Sequence, residues 1–134
     1  MRLKDLVKDL KITKKVFFLG PKPQKKLHFY YSSADVCVVS SYYEFFGIVP
    51  LESMACGTPI VASKTGGLKY SVQDGVTGYL ANTQDVQDFN NKIKQVLRKG
   101  KQSFTLSCTK RFIENFSWDK IINEYIEYFN YLIK

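Results

Sequence analysis

The sequence predicts an α/β fold of three layers, a parallel sheet with helices on both faces. Three observations carry this. Short, continuously apolar runs stand at residues 16–19, 36–39 and 59–62. Segments with helical spacing of apolar residues alternate with them. The connections are short, so consecutive strands run parallel through right-handed crossovers, and strands covered on both faces read as unbroken apolar runs.

Taken in order, Leu3, Leu6, Val7 and Leu10 fall on one helical face, and residues 11–15 break the pattern. The run VFFL at 16–19 reads as a buried strand, closed by the turn signal Gly20-Pro21. Leu27, Tyr30, Tyr31 and Ala34 continue as a helix from Gln24, and VCVV at 36–39 is the next buried strand. Pro50 stands where a helix can begin, residues 51–55 fill its first turns, and Gly57 ends it. Residues 59–62 then form a third buried strand.

Gly66-Gly67 and Asp74-Gly75 mark loops, and residues 77–80 read as a weak strand at or near the sheet edge. Asp85 caps a helix carrying Val86, Phe89, Ile93, Val96 and Leu97, with Arg98-Lys99 placed to suit its dipole and Gly100 as its stop. A further helix is expected over residues 104–115. Ser117 caps the last one, whose stripe Trp118, Ile121, Ile122, Tyr125, Tyr128, Phe129 and Leu132 is expected in the core. Four strands are fewer than a complete doubly wound domain uses, and the pattern opens on a helix, as though the start were missing.

With 134 residues, 45% of them hydrophobic, the chain can bury one core but not two. It has no apolar run long enough to cross a membrane and no signal-like leader, which makes the cytoplasm the expected compartment. Cys37, Cys56 and Cys108 lack metal-site spacing and there is a single His, so neither a disulfide framework nor a metal site is expected. The formal charge is +8, and residues 1–28 hold nine Lys or Arg against Asp5 and Asp9. Such an end attracts phosphates or an anionic membrane surface, or is simply a solvated helix face; no motif points to nucleic acid.

The chemistry concentrates in SSYYEFFGIVPLESMACGTPIVAS, residues 40–63. Ligands of open α/β sheets sit beyond the carboxyl ends of the strands, where loops run into helix N-termini with free N–H groups. Glu44 and Gly47 fall in such a loop, and Glu52 is expected in the first turn of the helix after it. A carboxylate accepts two hydroxyls of a diol, so a Glu beside a phosphate-binding helix end suits a ribose. A second carboxylate across the phosphates suits a sugar. The pattern thus fits a nucleotide sugar, while a dipole-favoured Glu52 and a solvated Glu44 fit it as well.

The segment SYYEFFGIVPLESMACGTPIVASKTGGLKYSVQDGVTGYL closely resembles the E-x7-E region of retaining group 1 glycosyltransferases of the two-lobed GT-B architecture, the family that includes sucrose-phosphate synthase and mannosyltransferase-type enzymes. The likeness extends upstream through VFFLGPKPQKKLHFYYSSADVCVVSS and downstream to FSWDKIINEYIEYF. It implies that residues 1–134 are a partial, Rossmann-like C-terminal lobe binding a nucleoside-diphosphate sugar for transfer of a hexose to an acceptor hydroxyl. An N-terminal lobe would bind the acceptor, and the last helix, with its aromatic stripe, would reach back to that lobe.

Residue by residue, the resemblance implies that Glu52 accepts the ribose hydroxyls and that Glu44 contacts the donor sugar near the reacting centre. Phe46, Gly47, Ile48 and Val49 would present amides to the sugar and distal phosphate. The loop with Gly20, Pro21 and Lys22 would run along the base to Gln24. No metal or other cofactor is implied, and the Arg and Lys that neutralise the pyrophosphate in the family would lie upstream. Phe45 departs from the family, many of whose members have Pro there. Tyr42, Tyr43 and Phe45 either line the sugar pocket or pack the loop, and Gly66-Gly67 is expected to be a hinge. The alternative function is a catalytically inactive nucleotide-binding or assembly module derived from such a lobe.

Overall fold

The computed structural model describes residues 2–133. Its sheet has three parallel strands, β1 Cys37–Val39, β2 Ile60–Ser63 and β3 Gly78–Ala81, in the order β1-β2-β3. The register pairs Cys37 with Ile60 and Ile60 with Gly78. The helices are α1 Leu3–Asp9, α2 Gln24–Ser33, α3 Ile48–Ala55, α4 Leu68–Ser71, α5 Val86–Lys99, α6 Gln102–Phe116 and α7 Trp118–Leu132.

Both faces of the sheet are covered. Successive strand residues point to opposite faces. The thiol of Cys37 meets Ser53 of α3, whereas Val38 lines a hollow with Phe89 and Ile93 of α5. So α3 and α5 lie on opposite sides. The central strand β2 is buried at every position, and Met54, Leu68, Val72, Val96, Phe104 and Cys108 close the core around it. Capping follows the sequence at two helices: Asp85 accepts from the amide of Asp88 at 2.9 Å, and Ser117 accepts from that of Lys120 at 3.3 Å. Asp88 in turn accepts from the amide of Asn82, which ties β3 to the start of α5.

Four expectations are corrected. The run at 16–19 forms no strand, and Phe17, Phe18 and Leu19 are exposed. In the doubly wound order 3-2-1-4-5-6, β1, β2 and β3 read as strands 4, 5 and 6, and the strand before them sits at the opposite edge. Among the described residues this run therefore has no ladder to join. Second, α3 begins at Ile48, two residues before Pro50, which makes Glu52 its fifth residue and leaves no acid in its first turn. Third, residues 68–71, expected as loop, form α4, whose buried Leu68 docks it on the core. Fourth, the aromatic stripe of α7 is solvent-facing: Trp118, Tyr125, Tyr128, Phe129 and Leu132 are all exposed. Amphipathic spacing marks a face that can be buried, not the presence of a partner that buries it.

Candidate functional site

The loop between β1 and α3 carries Glu44 at the carboxyl end of the sheet. Its shape is imposed by contact with the segment before α4. The amide of Gly67 donates to the carbonyl of Glu44 at 2.8 Å. A Cβ on Gly66 would lie 2.0 Å from that carbonyl oxygen, and one on Gly67 would lie 2.2 Å from the carbonyl oxygen of Phe45. Only glycines permit two backbones to come this close. The expected hinge is in fact the seat of the Glu44 loop.

Gly47 caps α3 in the left-handed region, at φ 80°, a conformation that costs a side-chain-bearing residue roughly 1–2 kcal/mol. A Cβ there would meet Leu68 Cδ2 at 2.9 Å, and Glu44 Cγ lies 3.4 Å from the same point. The half-buried Glu44 is thereby held against the N-terminus of α3. Among the described residues, the amides of Phe46, Gly47, Ile48 and Val49 donate to no backbone or side-chain acceptor of the protein. A run of free donors at a helix start is a cradle for phosphate or hydroxyl oxygens.

Glu52 faces α2. Tyr31 Oη donates to Glu52 Oε2 at 2.8 Å, and both residues line a hollow of about 240 Å³ with Gln24, His28 and Cys56. Burial raises the Tyr31 hydroxyl well above its ordinary range, and the hydrogen bond to Glu52 and its charge raise it further. It stays a proton donor at any ordinary pH. The tyrosine is itself anchored: Thr58 Oγ1 donates to its carbonyl at 2.6 Å, and Ser53 Oγ donates to the carbonyl of Thr58 at 2.9 Å. Burial also raises the Cys37 thiol, a hydrogen bond with Ser53 opposes this, and the Glu52 charge adds to the rise. Cys37 is an inert neighbour rather than a nucleophile. No cation forms an ion pair with Glu52 among the described residues.

Gly20, Pro21 and Lys22 form an exposed loop leading into α2, whose first residue, Gln24, shares the hollow with Glu52. Two groups of residues are thus assembled: the loop end with Glu52, and Glu44 with the free amides from Phe46 to Val49. Phe46, Ile48 and Val49 have exposed side chains, so their backbones are what the fold places. Tyr42, Tyr43 and Phe45 are exposed too, with the Tyr43 and Phe45 rings edge to face at 5.1 Å. Tyr43 and Phe45 thus pack on each other within the loop, and Tyr42 lines a hollow on the α5 side. That hollow, of about 390 Å³, lies between Val38, Tyr42, Val86 and Phe89 and includes neither glutamate.

In the sequence, Tyr31 stands out only as part of an apolar helix face. Nothing in the spacing links position 31 to position 52, because the pairing arises from the crossing of α2 and α3. The role of Gly66-Gly67 was readable in part, since a Gly pair signals either a turn or a close approach.

Residues 1–115 match the family described as glycosyl transferases group 1. The chain belongs to this family. Among the similar group 1 proteins is a D-inositol 3-phosphate glycosyltransferase of Geodermatophilus obscurus, 37% identical over 125 residues, which covers 93% of this chain and 27% of that protein. The corresponding protein of Mycolicibacterium smegmatis is 38% identical over 113 residues, covering 84% of this chain and 26% of that protein. The solved sucrose-phosphate synthase of Thermosynechococcus elongatus superposes with a TM-score of 0.89 at 36% identity, over 98% of this chain and 34% of its own. Anabaena HepE, solved in complex with UDP, gives 0.83 at 26% identity, over 96% of this chain and 35% of its own. HepE has also been solved with UDP-glucose. The group 1 chain described here thus spans about a third or less of the relatives it matches. Its three parallel strands and two-sided helical cover are the Rossmann-like lobe of a GT-B glycosyltransferase.

Proposed function

We propose that this lobe binds a nucleoside-diphosphate sugar and that, joined to an N-terminal acceptor-binding lobe, it transfers a hexose to an acceptor hydroxyl with retention at the anomeric carbon. The observation that carries the reading is the run of free amides from Phe46 to Val49, flanked by Glu44 on one side and by Glu52 one turn into the helix. UDP and UDP-glucose in HepE are consistent with a ligand of this class.

In this reading Glu52 accepts ribose hydroxyls, the amides of Phe46, Gly47, Ile48 and Val49 hold sugar and phosphate oxygens, and Glu44 contacts the donor sugar near its reacting carbon. Gly20, Pro21 and Lys22 line the base. As the donor bond breaks, positive charge grows on the sugar and negative charge on the leaving phosphate. Fixed N–H dipoles stabilise the latter without reorganisation. An Arg and a Lys from loops upstream of the first helix neutralise the pyrophosphate, so no metal or cofactor is required. The leaving phosphate takes the acceptor's proton, and Glu44 acts by electrostatics and hydrogen bonding rather than as a nucleophile.

Calorimetric titration of the chain with UDP, GDP and ADP tests the proposal. One of them is expected to bind, and Glu52→Ala is expected to weaken it at least tenfold, the scale of losing hydrogen bonds to a charged acceptor. Absence of binding by all three overturns the reading.

A further inference from the structure

We infer that Tyr31 is the positioning residue of the ribose site, fixing the Glu52 carboxylate so that it selects ribonucleotides over nucleotides lacking the ribose hydroxyls. The inference rests on the proposed donor reading and adds to it a residue of α2.

The contact has the properties this task needs. A free glutamate on a helix samples several rotamers, and ordering it costs entropy each time a ligand binds. Here Tyr31 Oη donates to Oε2 at 2.8 Å and fixes the carboxylate before any ligand arrives. The tyrosine is held in turn through Thr58 and Ser53, at 2.6 and 2.9 Å, so the hydroxyl is fixed relative to α3 as well as to α2. A neutral hydroxyl occupies one lone pair of one oxygen. Oε1 receives no protein donor among the described residues, and Oε2 keeps accepting capacity. An arginine or lysine in place of Tyr31 would compete for both oxygens and neutralise them. What remains is a half-buried, oriented and uncompensated acceptor, which two adjacent hydroxyls satisfy and a dideoxyribose leaves unpaired.

The hollow beside it is suitably placed. Gln24 and His28 of α2 stand on the same wall as Tyr31, opposite Glu52 and Cys56 of the α3 side. A nucleoside seated there is gripped between the two helices, so anything that sets α2 against α3 also sets the ribose pocket.

The test compares wild type and Tyr31→Phe for binding of UDP, GDP and ADP, each beside its 2′,3′-dideoxy form. Wild type is expected to prefer the ribonucleotide by roughly tenfold or more, and Tyr31→Phe to reduce that preference to within about twofold while leaving dideoxy affinity unchanged. If Tyr31→Phe keeps the full preference, the positioning role is overturned and the donor reading stands. If ribo and dideoxy affinities fall together, Tyr31 only packs the helices and the role is again overturned. If wild type binds no nucleotide, the donor reading itself fails and the role goes with it. Should Tyr31→Phe not fold, Glu52→Asp breaks the same contact from the other side by withdrawing the carboxylate. Retention of the preference there overturns the inference equally.

Discussion

The amide of Gly67 donates to the carbonyl of Glu44 at 2.8 Å, and a single added carbon on Gly67 would lie 2.2 Å from the carbonyl oxygen of the next residue, Phe45. The loop that carries Glu44 is thus moulded on the segment before α4. Gly67→Ala forces one backbone away from the other. Overpacking of this kind is expected to cost about 1–3 kcal/mol in urea unfolding. Hydrogen exchange should rise at the Gly67 amide while the β2 amides change only with global stability. An alanine variant as stable as wild type would show that the approach is not a fixed feature.

The two carboxylates are predicted to fail differently. Glu44 lies beside the capping Gly47, and Glu52 lies in the hollow between α2 and α3. Removing an acceptor affects only the part of the ligand that it meets. Glu44→Gln should therefore leave nucleoside diphosphate affinity within about twofold and weaken the nucleotide sugar more, by roughly 1 kcal/mol or above. Glu52→Gln should weaken both alike. Equal losses from Glu44→Gln for both ligands would contradict the assignment of the sugar to that side.

Stability is predicted to fall in alkali. Burial pushes the Cys108 thiol from 9.0 up to about 12 in the folded protein. The folded state therefore keeps the proton after the unfolded chain has released it. The contribution is complete below pH 9 and is lost progressively as pH rises from about 9 towards 12, at about 1.4 kcal/mol per pH unit. Tyr31 is raised too and adds a loss of the same sign above its ordinary value of 10.0. Urea midpoints at pH 8, 9 and 10 should fall in wild type. In Cys108→Ala the fall between pH 9 and 10 should be shallower, though its starting stability is lower. An unchanged slope would place the titration elsewhere.

Most of the sheet and the loop position of Glu44 were legible in the sequence, and the reason is local. β1 and residues 60–62 of β2 are unbroken apolar runs, Asp85 and Ser117 cap the helices they precede, and Glu44 sits where a parallel sheet presents its loops. What was not legible depended on neighbours. Residues 16–19 have the composition of a strand, but a strand also needs a ladder, and composition does not say whether one is adjacent. The hydroxyl of Tyr31 finds Glu52 only because α2 and α3 cross, a fact of tertiary structure with no signature at either position. Pro50, a favoured early helical residue, points to Glu52 in the first turn. The left-handed Gly47 instead starts the helix two residues sooner and turns the carboxylate towards α2.

Helix α7 offers the sharpest contrast between pattern and burial. Its Trp118 is 77% exposed and its Phe129 57%, whereas Phe104 at the start of α6 is 2% exposed and touches Tyr79 of β3. If burial rather than residue type sets the energy, the same substitution should have unequal costs. Phe104→Ala is expected to lower stability by about 3–5 kcal/mol, and Phe129→Ala by about 0.5 kcal/mol or less. The exposed stripe also has a colloidal consequence, since a contiguous apolar surface of this kind drives association. Replacing Tyr125, Phe129 and Leu132 together by Lys should leave the far-ultraviolet spectrum and urea midpoint nearly unchanged and shift sedimentation towards the monomer at high concentration. A large stability loss from Phe129→Ala would mean that α7 folds back onto the lobe in solution. The core would then extend beyond α6.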